Sequence, residues 1–277
     1  MNMRLGILGL VLVLVASGAT WAAAPLFVDR SADYSVGYEF TKVRRGDSET
    51  RRTWTSGIHA AGYRLRAADR LFLTGQFCFW AEEFTDGRNP NDLTGNPYIG
   101  IEIASRENLW FQLGVNLPLA SEDDASTRPI LADPMRIEYF APDFLTLSAR
   151  VQSGYVEHNS KVLWMLGLLY GIYTEDKVGN LSYLSQVEKD SEALVEYGLE
   201  AETNSERLRL WMSLHGRFAM TEKGDTDDRS THQFIAGITL TPYWIRPGFH
   251  LTVPLDQLVC QYVNYTASFT LTAAWGD

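Results

Sequence analysis

Apolar and polar residues alternate over most of the chain. In "YSVGYEF" the apolar positions are Tyr34, Val36, Tyr38 and Phe40. "LFLTGQFCF" places Leu71, Leu73, Phe77 and Phe79 on one face, and "IGIEI" does the same with Ile99, Ile101 and Ile103. In "LWFQLGVNLPLA" the stripe is Leu109, Phe111, Leu113, Val115 and Leu117, opposed by Gln112, Gly114 and Asn116. Met135, Ile137 and Tyr139 oppose Arg136 and Glu138 in "MRIEY", and Leu145, Leu147, Ala149 and Val151 extend the pattern. The closing segment sets Tyr265, Ala267, Phe269, Leu271, Ala273 and Trp275 against Thr266, Ser268, Thr270 and Thr272. A period of two marks strands with one apolar and one polar face.

Length decides what the apolar face meets. Strands of soluble proteins run to ~5–6 residues, whereas tilted membrane strands need ~9–11. Several segments hold their alternation over the longer span, which predicts an all-β, antiparallel up-and-down transmembrane barrel of about 12–14 strands. The count is about fourteen with a strand near "NLSYLSQV" (Asn180 to Val187), and about twelve without it and with "GFHLTV" as loop.

Parity constrains the turns, because directly opposed residues share a face. The outward set is odd up to Tyr155, then even at Val162, Trp164, Leu166, Leu168 and Tyr170. An even-length turn within "EHNSK" is therefore required. The segment from Ala193 to Leu214 is rich in helix formers but alternates cleanly, and is read as two strands. "APD" (Ala141 to Asp143) is read as a short turn joining Tyr139 to Leu145. The longer connections, Glu82–Asn96, Leu119–Pro134 and Met220–Ser230, are assigned to the cell exterior.

The first residues fit export. Arg4 precedes the apolar run "LGILGLVLVLVASG", and small residues follow at Ala22, Ala23 and Ala24. Residues 1–24 read as a signal peptide and 25–277 as the barrel. The run is short for a spanning helix. The net charge of −10 argues against nucleic acid as a partner, since that binding needs a basic face. Cys78 and Cys260 do not make a disulfide framework, although one pairing between them stays open.

At "LGVNLPLA", "GNPYIGIEI" and "IRPGFHLTVPLDQ" the chain resembles transporter-like outer-membrane barrels of Gram-negative bacteria, of the phenol meta-pathway transporter-like kind. The resemblance implies outer-membrane localisation, insertion into outer-membrane lipid by the barrel assembly machinery, and passive uptake of small polar solutes. Such barrels commonly end on an aromatic residue, whereas Trp275 is followed here by Gly276 and Asp277. No catalytic residue is carried over.

Candidate lumen residues follow from the polar faces: Glu102, Gln112, Asn116, Arg136, Glu138, Arg150, Glu196, Glu200, Arg209, His215 and Arg217. Such a mixed ring sets up a field that selects solutes; the competing role is cross-strand salt bridging in a filled interior. Trp80, Trp110, Tyr139, Phe144, Trp164, Tyr170, Tyr243 and Trp244 read as an interfacial girdle. No His or Cys spacing suggests a metal site, and no cofactor motif is present. Two alternatives remain. One is a hydrolase at the barrel rim, built from His158, Ser160, Ser230 and His232. The other is a soluble periplasmic barrel or sandwich, which would turn Leu109–Leu117 into a core.

Overall fold

The strands carry their apolar faces outward and close on themselves, so that the backbone N–H and C=O groups of the wall are paired between neighbours. The computed structural model describes residues 32–46, 53–83, 92–106, 108–120, 134–174, 191–220, 230–241, 244–256 and 263–276. Residues 1–31, with the predicted export segment, lie outside them, as do "NLSYLSQV" and Cys260.

The strands are β1 (Tyr34–Gly46), β2 (Thr53–Ala68), β3 (Leu71–Glu83), β4 (Asp92–Thr94), β5 (Tyr98–Arg106), β6 (Leu109–Asn116), β7 (Phe144–Glu157), β8 (Ser160–Tyr173), β9 (Ser191–Asn204), β10 (Leu208–Ala219), β11 (Ser230–Leu240), β12 (Ile245–Pro254) and β13 (Val263–Trp275). All pairings are antiparallel, and β1 pairs with both β2 and β13, which closes the barrel. Twelve strands form the wall. The short β4 is an extra piece lying on β3 at Phe79–Ala81. Closure removes every long free edge.

The wall has the predicted polarity. Phe111 and Leu113 face outward at 44% and 51% exposure, with no protein beneath them. The soluble reading required this stripe to form a core. The parity switch is also present: Glu157 pairs with Ser160 across a two-residue turn, and the left-handed φ of 40° at His158 is what so tight a turn demands. From β8 onward Trp164, Leu166, Leu168 and Tyr170 point outward. "GFHLTV" lies within β12, so it is strand rather than loop. Pro254 is the last residue of that strand, a position where its missing N–H costs little.

One predicted strand is not a strand. "PMR" forms a 3-10 turn and Ile137–Phe140 a single helical turn, α1, which ends at Ala141. Met135, Ile137 and Tyr139 do not face lipid; they are buried. "APD" is accordingly not a strand-to-strand turn, and β6 pairs directly with β7, from Leu109↔Ser153 to Asn116↔Thr146. The physical reason is that Arg136 and Glu138 find charged partners on the inner wall while Ile137, Tyr139 and Phe140 find apolar ones. The segment is therefore most stable across the lumen.

Candidate functional site: a filled lumen

The interior is layered. Nearest the long connections lies an apolar stratum in which Val43, Ile58, Trp80, Tyr98, Phe144, Leu169 and Leu194 surround Ile137, Tyr139 and Phe140 of α1. These wall residues come from seven different strands, so α1 crosses the lumen rather than lying on its rim. Asn96 holds it there. The Asn96 side chain donates to the carbonyls of Glu138 (3.0 Å) and Ala141 (2.6 Å). Its carbonyl oxygen accepts from the backbone N–H groups of Leu119 and Ala120, both at 2.8 Å.

Below this stratum is a charged layer. Arg136 Nη2 meets Glu39 Oε1 at 2.7 Å. Arg150 Nε donates to Glu196 Oε2 at 2.6 Å, and Arg217 Nε donates to Glu196 Oε1 at 3.1 Å. Arg217 Nη2 also bridges Glu196 Oε1 and lies 3.1 Å from Glu138 Oε2. Nearer the short turns, Arg64 Nη2 pairs with Glu102 Oε1 at 2.8 Å, and the Arg64 guanidinium lies 3.4 Å over the Phe72 ring. Lys161 and Glu202 meet at 3.0 Å closer to that end. In the buried pairs each charge meets its opposite, and that attraction in a low dielectric offsets the cost of taking it out of water.

Glu138 is the outlier among the charges outside the strands. Complete burial raises its carboxyl to about 7, opposed by Arg217 and assisted by the neighbouring Glu196. Burial likewise pushes the Tyr139 phenol well above its ordinary range.

The candidate lumen residues all point inward, but they do not line open water. Glu102, Gln112, Asn116, Arg136, Glu138, Arg150, Glu196, Glu200, His215 and Arg217 are buried, and only Arg209 is partly exposed. Arg209 stands opposite Asn204 across a four-residue turn, and its charge acts on Glu202; Glu200 lies opposite Ser213. The network also contains Glu39 and Arg64, which the sequence reading passed over. Glu39 was detectable as the acidic residue between Tyr38 and Phe40 on an alternating strand. Arg64 belongs to β2, whose alternation is broken by Ala60, Ala61 and Gly62.

The aromatic girdle is correct only in part. Trp164 and Tyr170 are exposed on the outer wall, but Trp80, Tyr139 and Phe144 are buried inside, where they build the apolar stratum. Trp244 is exposed in the bend before β12, and Trp110 is half-buried at the parity of the inward-facing Gln112 on β6. Tyr243 lies outside the described residues. The four predicted rim residues do not converge. His158 lies in the two-residue turn that Ser160 follows, whereas Ser230 and His232 begin β11 at the opposite end of the barrel. His232 instead bonds Tyr197 and Asp256. Among the described residues no group of three or more His, Cys, Asp or Glu is placed to hold a metal.

No family model and no characterised protein sequence matches the chain. The fold does have solved counterparts. An outer-membrane channel from Pseudomonas putida F1 aligns with a TM-score of 0.57 at 10% identity, covering 90% of this chain and 98% of that one. The translocator domain of the autotransporter NalP from Neisseria meningitidis gives 0.57 at 8% identity, covering 89% and 90%. LpxR from Salmonella typhimurium gives 0.52 at 10% identity, covering 87% and 100%. At these identities the likeness is one of fold, a closed antiparallel β-barrel.

Proposed function

We propose that the protein is an outer-membrane channel held shut in this conformation by the segment Pro134–Ala141. The observation that carries the reading is that Arg136 and Glu138 bond to the wall charges Glu39 and Arg217. Removing that segment would return those wall charges to water, as a mixed-charge constriction of the kind that selects small polar solutes. Passage is then passive and depends on how often α1 leaves. The exported chain enters the outer membrane through the barrel assembly machinery, with the long connections outside and the short turns in the periplasm. The channel among the solved counterparts supports this reading.

The test is planar-bilayer conductance of the refolded protein beside the double variant Arg136→Gln/Glu138→Gln. The expected result is rare, brief openings for the wild type and a several-fold higher open fraction for the variant. Silence from both, with the barrel shown folded, would overturn the channel reading. A wild type that stays open would overturn the closing role of α1.

A further inference from the structure

We propose that Tyr197, His232 and Asp256 form a hydrolytic site on the outer wall that cleaves acyl esters of membrane lipids. The idea is independent of whether the lumen conducts.

The three residues are brought together by register. Gly216 of β10 pairs directly with Tyr197 of β9 on one side and with His232 of β11 on the other. All three positions face outward, and Tyr197 and His232 are partly exposed. Gly216 has no side chain, and a Cβ there would overlap the Tyr197 ring. The phenol can therefore lie across β10 and reach His232 Nε2 at 2.7 Å. On the far side His232 Nδ1 stands 2.9 Å from Asp256 Oδ1. Asp256 is itself fixed, since its other carboxylate oxygen accepts from the backbone N–H of His232. That N–H lies just past Gln233↔Pro254, where the β11–β12 ladder ends.

The chemistry assigns the protons. A carboxylate only accepts, so Nδ1 carries hydrogen and Nε2 presents its lone pair to the Tyr197 hydroxyl. A nucleophile bonded to a base, with the base oriented by a third group, is the arrangement of covalent hydrolases. The surroundings name the substrate. Two positions toward the short turns lies the row Leu199, Leu214, Phe234 and Val253, joined by direct pairing. Leu214, Phe234 and Val253 are exposed on the outer wall. Acyl chains running down the wall across that row would set their ester carbonyls at the level of Tyr197.

In the reaction Tyr197 Oη attacks the ester carbonyl carbon and its proton passes to His232 Nε2. The tetrahedral intermediate collapses as the bond to the lipid alcohol breaks, and His232 returns the proton to the departing oxygen. Water then attacks the acyl–tyrosine ester and gives its proton to His232. Fatty acid leaves, and the proton returns to Tyr197 Oη. The sum is ester plus water to fatty acid plus alcohol.

The test measures fatty-acid release from dilauroylphosphatidylcholine and p-nitrophenyl laurate in mixed micelles by the full-length refolded barrel. Folding of each variant is checked by its heat-modifiable gel mobility. Tyr197→Phe and His232→Asn are expected to fall to background. Asp256→Asn should lose about 10⁴-fold, because the amide no longer holds the imidazole in the tautomer whose Nε2 accepts the Tyr197 proton. Tyr38→Phe, which alters another tyrosine–histidine hydrogen bond on the same wall, should keep the wild-type rate. Mass spectrometry after brief exposure to p-nitrophenyl laurate should find the laurate on Tyr197. Absence of hydrolysis of both esters by folded wild type, or a wild-type rate in Tyr197→Phe, would overturn the proposal.

Discussion

Replacing Glu196 by Gln tests how the charged layer holds the barrel. Glu196 serves two guanidinium groups at once, Arg150 through Oε2 and Arg217 through Oε1, and all three are buried. Gln keeps the volume and one acceptor oxygen but removes the charge. Arg150 then loses its bonded counter-ion, while Arg217 keeps Glu138 at 3.1 Å. Breaking a buried pair by removing one partner costs roughly 3–5 kcal/mol. The retained acceptor and the remaining Glu138 place the expected loss near the lower end, about 3 kcal/mol. Urea titration in lipid vesicles, followed by tryptophan fluorescence, reads this directly. With a slope of about 2 kcal/mol per molar the midpoint falls by about 1.5 M. A midpoint within about 0.3 M of wild type, at unchanged slope, would refute the reasoning. It would mean that water or rearranged side chains solvate Arg150 as well as Glu196 does.

Two further outcomes follow from the same structure. Glu138 holds its proton more tightly in the folded barrel than in the unfolded chain, with a folded value of about 7. Stability should therefore fall as pH rises from about 4.5 to about 7 and level off above, by at most about 3 kcal/mol, and Glu138→Gln should flatten that slope in urea titrations across the range. Leu113→Arg places a charge on the lipid-facing wall and should cost about 2–4 kcal/mol in vesicles; a change within about 0.5 kcal/mol, as at an ordinary wet surface, would show that this wall does not meet lipid.

The wall was legible because lipid and lumen impose opposite demands on alternate residues. Every strand from β5 to β13 that carries an unbroken alternation, such as Ile99–Ile103 or Tyr265–Trp275, could be oriented from its residues alone. The segment "MRIEY" carries the same alternation for a different reason. Its charged residues meet Glu39 and Arg217, and its apolar residues meet the stratum around Trp80 and Phe144. A plug spanning two layers reproduces the pattern of a strand with two faces, so periodicity over five residues could not separate them. The Tyr197–His232–Asp256 cluster was hidden differently. His232 stood out as a histidine near the rim, but Tyr197 read as one more lipid-facing aromatic. Their meeting depends on two successive strand registers and on Gly216 between them. Local spacing carries none of that information.

The seam between β1 and β13 has a kinetic meaning. Tyr34 pairs with Trp275 and Phe40 with Phe269, so the contacts that close the wall join nearly opposite ends of the chain. Until the residues of β13 are in place, the growing sheet has two exposed ladders of backbone N–H and C=O groups, each able to recruit a foreign strand. Contacts of such long sequence separation form slowly, because the loop entropy is lost before they repay it. The last step of assembly is therefore also the slowest and the most vulnerable. A substitution at the seam, such as at Ser35 or Thr272, should act first on the yield of closed barrel and only second on its stability once formed.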